Sequence, residues 1–251
     1  MPRHTGSTVS PEDCAHLHTA CRHHHLDWEP GSTEPWIIDA VAALLVASGQ
    51  RRALELGGYK GACARVLART LSLMGGGHLT TVEYDPALYP ILIERLQVPD
   101  LQNVRVEAVH AEAVAFVQSL PERSVGFVWV DDSHDTPHVV EEMETLIPKM
   151  VDGGIICFHD VYGHYDLRQV VQAYGGYCLD LPRVSSSGGL GILQVQPETR
   201  SRHVRVANKQ DPRRPDEVTL ASLSPYGMRD GEGKEHLHWA PSPEPSLPMA
   251  G

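Results

Sequence analysis

Apolar residues along the central part of the chain follow two alternating spacings. Short apolar runs predict buried strands, and recurrence at every third or fourth residue predicts amphipathic helices. The strand pattern occurs in the stretches RRALELG, HLTTVEYD, NVRVEAV, VGFVWV, IICFHD, YCLDLP and GLGILQV. The helical pattern occurs at residues 34–49, 62–74, 86–96, 112–119, 136–150 and 166–174.

This alternation predicts the fold class. Strands that alternate with helices are joined by right-handed crossovers, so the strands lie parallel in a sheet that helices cover on both faces. We therefore expect an α/β fold with a Rossmann-like, doubly wound sheet of seven strands. The last two strands are joined by a turn at residues 185–189 that is too short for a crossover, which predicts an antiparallel last strand. Gly153 and Gly154 are expected to form the turn before the fifth strand.

Composition divides the chain into three segments. Residues 1–50 begin with a polar, His-rich stretch and are predicted to form an N-terminal helical cap segment. Within it, the Cys- and His-rich residues 14–25 could bind a soft metal but lack a C-x-x-C pair, so a solvated helical segment is the preferred interpretation. Residues 51–196 contain the alternating pattern and form the predicted ligand-binding domain. Residues 197–251 are rich in Pro, Arg, Glu and Ser and are expected to be a polar extension.

Charge and cysteine content narrow the classes of partner and compartment. The 251-residue chain has a formal net charge of -11, and no Lys/Arg block interrupts its first 200 residues. This disfavours nucleic acid or an anionic membrane as the main partner. No run approaches the roughly 18 apolar residues of a membrane span, and the first residues lack the apolar core of a secretory signal. Five cysteines without regular spacing indicate reduced thiols. We therefore expect a cytoplasmic protein.

Acidic residues, histidines and glycines lie at the carboxyl ends of the predicted strands, where open parallel sheets bind their ligands. The first strand runs into the glycine-rich turn ELGGYKG at residues 55–61. This turn is not the G-x-G-x-x-G of dinucleotide-binding proteins, because Glu55 precedes its first glycine and three residues separate Gly57 from Gly61. A carboxylate there repels a pyrophosphate but suits a ligand with ammonium or hydroxyl donors. Glu83, at the end of the second strand, is placed to accept both hydroxyls of a ribose.

Four ordered motifs extend this pattern: ALELGGYKGACARVLA, TTVEYDP, VGFVWVDDSHD and GGIICFHDV. Together they resemble the motifs of class I S-adenosylmethionine-dependent methyltransferases. They are most similar to small-molecule O-methyltransferases of the catechol O-methyltransferase type and to related antibiotic-tailoring enzymes. The resemblance covers about residues 51–196.

The resemblance implies a binding site for S-adenosyl-L-methionine. Glu55 would lie near the ammonium group of the cofactor, and Glu83 would bind its ribose. Tyr59 either closes over the cofactor or packs within the protein. The full set of residues implied at the cofactor is Glu55, Gly57, Gly58, Tyr59, Gly61, Glu83, Tyr84, His110, Ala111, Glu112 and Asp131.

The resemblance also implies a divalent metal, held in the metal-dependent members at the ends of the fourth and fifth strands. The matching residues are Asp131, His159 and Asp160. Carboxylates on adjacent parallel strands converge, and a hard cation such as Mg or Mn would offset their repulsion and bind both oxygens of a vicinal diol. The animal catechol enzyme has an acid followed by an amide where this chain has His159 and Asp160. Since histidine favours Mn, Fe, Ni or Zn over Mg, another transition metal stays open. Alternatively, His159 orients Asp160 or the substrate.

His134 is the candidate general base. It lies three residues after Asp131, where the catechol-type enzymes place a catalytic lysine. Histidine has an ordinary pKa of about 6.5, so its neutral ring can accept a hydroxyl proton at neutral pH. We therefore expect Asp131 and His134 to be catalytic; in the alternative, His134 caps the following helix or supports the metal. The neighbours expected to be solvated, capping or surface groups are Asp132, Asp135, His138 and His164. Two tyrosines expected in a substrate wall are Tyr162 and Tyr165.

The leading hypothesis is a methyltransferase that transfers a methyl group to a hydroxyl of a small molecule, such as a natural-product intermediate, with help from a divalent metal. A homodimer is one option for its assembly. The first alternative is a metal-independent O- or N-methyltransferase with His134 as its base. The second is an NAD-dependent Rossmann oxidoreductase, which the glycine spacing and Glu55 disfavour. The third is a non-catalytic partner protein, which the intact set of Glu55, Gly57, Glu83 and Asp131 disfavours.

Overall fold

A seven-stranded sheet forms the centre of the computed structural model, which describes residues 31–97, 101, 103–161, 167–179 and 189–202. The strands are β1 (Arg52–Leu56), β2 (Gly77–Glu83), β3 (Val104–His110), β4 (Val125–Val130), β5 (Met150–Phe158), β6 (Tyr177–Leu179) and β7 (Leu190–Gln194). Their order across the sheet is β3-β2-β1-β4-β5-β7-β6. Strands β1 to β5 pair in parallel, and β7 is antiparallel to both β5 and β6. The predicted α/β fold with an antiparallel last strand is confirmed.

Helices cover both faces of this sheet. They are α1 (Pro35–Ser48), α2 (Ala62–Leu73), α3 (Tyr89–Leu96), α4 (Ala113–Ser119), α5 (Thr136–Leu146) and α6 (Leu167–Ala173). One core cluster joins α1, α2 and α3 to side chains such as Phe127 and Trp129, and the other joins α4, α5 and α6 to side chains such as Val128 and Val130. Successive β4 residues therefore point to opposite faces, and the strand is buried on both, as a parallel sheet requires.

Helix α1 is part of this core. Its residues Ile37, Ile38, Val41, Ala42 and Leu45 are fully buried against the same face as Phe127 and Trp129. The helix ends at Gly49, which adopts a left-handed conformation with φ of 68°. Because α1 is fixed to the sheet, the residues that immediately precede it are held beside the carboxyl ends of the strands.

Three predicted boundaries differ from the structure. The helix predicted from residue 86 begins at Tyr89, because Asp85 instead forms a turn in which its side chain accepts the N–H of Ala87. The helix predicted to reach residue 150 ends at Leu146, followed by a 3₁₀ turn at Ile147–Lys149 that contains Pro148. Strand β5 consequently starts at Met150. Gly153 and Gly154 therefore lie inside β5, where a register shift marks an irregular pairing with β4.

No helix within the described ranges is long and apolar enough to cross a membrane. Some predictions concern residues outside those ranges. They are the His-rich stretch at residues 14–25, the side chains Tyr162, His164 and Tyr165, most of the turn at residues 185–189, and the extension beyond residue 202.

Candidate active site

The glycine-rich turn after β1 lies directly against the end of β4. The N–H groups of Gly57 and Gly58 both donate to the carbonyl of Val82, and the N–H of Asp131 donates to the carbonyl of Leu56. Gly57 has φ of 90°, and a Cβ on it would lie 2.2 Å from the carbonyl oxygen of Asp131. Only glycine fits this position, and its presence lets the two motifs meet at one edge of the sheet.

A cleft of about 470 Å³ opens at this edge. Its lining residues are Gly57, Tyr59, Val82, Glu83, Tyr84, Asp85, Leu88, Ala111, Glu112, Ala113, Asp131, Asp132, Ser133 and His138. Most of the residues predicted at the cofactor are in this lining. The predicted cofactor residues outside it are Glu55, Gly58, Gly61 and His110.

Glu83 presents a carboxylate that the backbone holds in place. Its Oε2 accepts the N–H of Tyr59 at 2.6 Å, and its Oε1 accepts the N–H of Asp85 at 2.7 Å. A carboxylate oxygen can accept more than one hydrogen bond, so both oxygens can still accept hydroxyl donors. This arrangement suits a ligand with two adjacent hydroxyl groups, such as a ribose.

Glu55 lies beneath the turn and is fully buried. Its Oε2 accepts a hydrogen bond from Thr81 at 2.5 Å, whereas its Oε1 is buried with no hydrogen-bond partner in the described part of the chain. Burial raises the pKa of Glu55 to about 8, and the charges of Asp131 and Glu83 act in the same direction. An unpaired buried acceptor of this kind is a group that an ammonium donor would satisfy, so the residues fit the methionine part of the cofactor.

The other predicted cofactor residues have identifiable local roles. Tyr59 has φ of 45°, and its hydroxyl lies 3.0 Å from where a Cβ on Gly31 would be, so it packs on the N-terminal segment as well as lining the cleft. The His110 ring stacks on Tyr89. Glu112 accepts hydrogen bonds from the first N–H groups of α4 and is its N-cap, a role that the sequence prediction did not assign.

A cluster of acids and histidines adjoins the cleft at Asp131. Oδ1 of Asp131 lies 3.0 Å from Nδ1 of His159 and 3.9 Å from Nε2 of His134. Oδ2 accepts a hydrogen bond from Thr33 at 2.7 Å, and the Thr33 hydroxyl also accepts one from the buried thiol of Cys63. The strand ends therefore bring together the predicted residues Asp131, His134 and His159.

His159 bridges two carboxylates. Its Nε2 lies 2.7 Å from Oε2 of Glu34, on the side opposite Asp131. Burial lowers the pKa of His159, but the hydrogen bond and charge of Asp131, joined by Glu34 and Asp160, outweigh burial and raise the pKa to about 10. The ring is therefore an imidazolium at neutral pH in the absence of a competing cation.

Sequence reasoning missed Thr33 and Glu34. Both precede α1, and they lie 98 and 125 residues from their partners Asp131 and His159. No local motif marks them. The available signal was the apolar pattern of residues 34–49, which predicts that this helix packs on the sheet and brings its first residues near the strand ends.

The donor atoms of the acid–histidine cluster indicate which metal ions it could bind. Asp131, His134 and His159 each offer a ligand atom, and these atoms lie within 4.8 Å of one another. Asp160, predicted as a ligand, is outside that group; its carboxylate lies 3.2 Å from Nε2 of His134, and its backbone has φ of 51°. Two imidazoles and one carboxylate form a donor set for Mn, Fe, Ni or Zn rather than Mg. The set fits such an ion, provided that His159 releases its proton.

Asp132 and His138 differ from their predicted roles. Nε2 of His138 lies 3.2 Å from Oδ2 of Asp132, and both residues are half-buried in the wall of the cleft. The hydrogen bond to Asp132 is the main reason that the pKa of His138 is raised. Asp135 is exposed at the start of α5 and its side chain makes no capping hydrogen bond, in agreement with a solvated acid.

Comparisons with known proteins agree with this architecture. A family model described as a methyltransferase domain matches residues 54–161. No curated protein sequence matches the chain. A Klebsiella pneumoniae protein, provisionally described as an O-methyltransferase, is 18% identical with a TM-score of 0.55, over 77% of this chain and 92% of that one.

Two further solved structures share the fold. An O-methyltransferase of Bacillus cereus, in complex with SAH, is 15% identical with a TM-score of 0.54, over 76% of this chain and 91% of its own. The O-methyltransferase TomG of Streptomyces achromogenes, in complex with SAM, is 16% identical with a TM-score of 0.51, over 72% and 89%. The matched domain spans the glycine turn, the cleft and the acid–histidine cluster. Residues 54–161 therefore match a methyltransferase domain, and the chain shares the fold of solved O-methyltransferases.

Proposed function

We propose that this protein is an S-adenosylmethionine-dependent methyltransferase that transfers the methyl group to a hydroxyl of a small molecule in the cytoplasm. The observation that carries the proposal is the cluster of Asp131, His134 and His159 at the edge of the cleft. O-methylation needs an acceptor oxygen held in line with the methyl group and a group that removes its proton. The cluster offers both functions within one small volume.

The cofactor is proposed to lie along the cleft from the β1 turn to the end of β3. Glu83 would accept the ribose hydroxyls, and the unpaired oxygen of Glu55 would accept the ammonium group. Tyr84, Ala111 and Glu112 would line the adenine. S-adenosylmethionine supplies an activated methyl group, so the protein mainly contributes position and proton transfer.

His134 is proposed to remove the hydroxyl proton. Its Nε2 faces Asp160 at 3.2 Å, so the imidazolium formed by proton transfer would be stabilised by a neighbouring carboxylate. Asp131, whose backbone is fixed to β1 and whose side chain is held by Thr33, would position the acceptor.

A divalent ion is proposed to assist. Asp131 and His159 would hold it together with Asp160, which leaves His134 as the base, and when bound the ion would lower the pKa of the acceptor hydroxyl. Because such an ion can bind two adjacent oxygens, the proposed acceptors are catechols or other vicinal diols, of the kind found among natural-product intermediates.

One observation favours a second candidate, a metal-independent O-methyltransferase. Both ring nitrogens of His159 already face carboxylates, and the raised pKa of this ring places a positive charge within the cluster. That charge could offset the acids without a metal ion, leaving His134 as the base.

The test uses the full chain with S-adenosylmethionine carrying a ¹³C-labelled methyl group. Catechols, simple phenols, aliphatic diols and amines are offered as acceptors, and NMR identifies the labelled product. We expect label in an O-methyl group, with catechols or vicinal diols preferred. Label only in N-methyl products, or none with any hydroxylated acceptor, would contradict the proposal. Repeating the reaction after exhaustive chelation separates the candidates: loss of activity supports the metal, and full activity supports the metal-independent enzyme.

A further inference from the structure

A second group of potential ligands lies on the other side of the β4 end. Asp132 follows β4, and His138 and Glu142 lie one turn apart on α5, so both helical residues share one face. Each offers one ligand atom, and the three atoms lie within 4.8 Å of one another. Asp131 contacts Thr33 and His159 whereas Asp132 contacts His138, so the consecutive acids serve two separate clusters.

Glu142 is the unusual member of this second cluster. The residue is completely buried, and within the described ranges neither carboxylate oxygen has a hydrogen-bond partner. Oδ1 of Asp132 is likewise buried without a partner there. Leaving a buried carboxylate without a hydrogen-bond partner destabilises the folded protein. Burial, with the charges of Asp132 and Glu112, also raises the pKa of Glu142 well above its ordinary value.

We propose that Asp132, His138 and Glu142 bind a divalent first-row transition ion. Two carboxylates and one imidazole are a donor set that Zn²⁺ and Mn²⁺ accept. Ligand atoms about 2.1 Å from an ion lie roughly 3–4 Å apart, so small side-chain rotations would bring all three into coordination. The ion would satisfy the unpartnered oxygens and offset the negative charge of Asp132, Glu142 and the nearby Glu112.

The position of this cluster gives the ion access to the cleft. Asp132 and His138 line the cleft, whereas Glu142 lies behind them in the protein interior. A bound ion would therefore have protein ligands on one side and free coordination positions toward the cleft. It would also link the end of β4 to α5. This site does not depend on the proposed acceptor or on the cluster at Asp131.

The experiment measures metal binding rather than activity. The full chain is stripped with a chelator and then dialysed to equilibrium against Mn²⁺ or Zn²⁺, and bound metal per chain is determined. All proteins carry Asp131→Ala, which disables the first cluster. Metal held by the His-rich residues 14–25 is the same in every variant and cancels in the comparison.

Three variants are compared in that background. Glu142→Gln keeps the shape of the buried side chain but removes its charge, and His138→Ala removes the imidazole. Glu144→Gln is the matched control, because Glu144 is an exposed acid on the same helix. We expect the control to bind one more ion than the other two, or to bind it more than about tenfold more tightly, and metal to raise the melting temperature of the control alone.

Each outcome decides the proposal. Retention of that ion by Glu142→Gln would overturn it, as would a control that binds no more of either metal than the variants. Glu142 would then be a buried neutral acid beside a simple Asp132–His138 ion pair. If Glu142→Gln fails to fold, judged by circular dichroism, the His138→Ala protein decides in the same way, because His138 is partly exposed and its loss leaves the core unchanged.

Discussion

His159 and Glu34 form a close contact, with Nε2 of the ring 2.7 Å from Oε2 of the carboxylate. The contact joins the end of β5 to the residue that precedes α1, 125 positions earlier in the chain. Because the opposite ring nitrogen faces Asp131, a single side chain connects the N-terminal segment to the centre of the proposed active site. The segment before the sheet is therefore part of the site.

This relationship predicts a pH dependence of stability. The pKa of His159 is raised to about 10 in the folded protein, so the protonated ring stabilises the fold fully below about pH 6.5. That contribution is lost as the pH rises toward 10. We expect the free energy of unfolding, from urea titrations at several pH values, to fall over this window by at most about 1.4 kcal/mol per pH unit from this group.

The variant His159→Gln should remove that part of the slope. His78 provides the control, since it is a partly exposed histidine on β2 away from the cluster. A slope that falls in His159→Gln more than in His78→Gln assigns the pH dependence to His159. Equal slopes for His159→Gln and the unaltered protein would show that the two carboxylates do not hold a proton on this ring.

Glu55→Gln should separate stability from cofactor binding. The pKa of Glu55 is raised to about 8, so its contribution to stability is present below about pH 4.5 and is lost as the pH rises toward 8. As the pH rises across this range, Glu55→Gln without cofactor should therefore become progressively more stable than the unaltered protein. The same change should weaken S-adenosylmethionine binding by roughly 10- to 100-fold, because a hydrogen bond to a charged group contributes about 1.5–3 kcal/mol.

Calorimetric titration of S-adenosylmethionine and urea unfolding at pH 5 and pH 8 check both effects. Thr81→Val offers a comparison, since it removes the hydrogen bond to Oε2 but keeps the carboxylate. Unchanged cofactor affinity in Glu55→Gln would refute the proposed contact with the ammonium group.

Gly57→Ala should destabilise the protein strongly. The added Cβ would lie 2.2 Å from the carbonyl oxygen of Asp131 and 2.8 Å from the Cα of Asp132, both backbone atoms. Gly49 also has a positive φ, of 68°, but a Cβ there meets nothing within 4 Å. We expect Gly49→Ala to cost about 1–2 kcal/mol from backbone strain alone, and Gly57→Ala about 3 kcal/mol or more. Similar urea midpoints for the two variants would show that the turn after β1 has room for a side chain beside the end of β4.

The sequence was sufficient to predict the sheet and the residues at its strand ends. Each strand has an apolar pattern, and a parallel sheet brings its carboxyl ends to one edge, so Asp131 and His159 follow from pattern and topology together. The helix boundaries were predicted less accurately, because local interactions competed with the helical pattern. Asp85 forms a turn before α3, and Pro148 ends α5 early.

Contacts across long sequence separations were not predictable from local pattern. Thr33 and Glu34 reach the site only because α1 docks on the sheet, and nothing in their immediate neighbours indicates that position. Glu142 lies in the stretch EEMETL, where its acidic neighbours Glu141 and Glu144 are exposed, so its burial depends on how α5 packs.

The most direct test of the catalytic role of Asp131 compares Asp131→Ala with Asp135→Ala in methyl transfer and in cofactor binding. Asp131 is at the centre of the acid–histidine cluster, whereas Asp135 is a nearby exposed acid without a capping hydrogen bond. We expect Asp131→Ala to reduce turnover of the best hydroxylated acceptor by at least about 100-fold while S-adenosylmethionine still binds within a few-fold of its original affinity, and Asp135→Ala to leave both unchanged. Turnover that survives in Asp131→Ala would contradict the assignment of this edge of the sheet as the catalytic site.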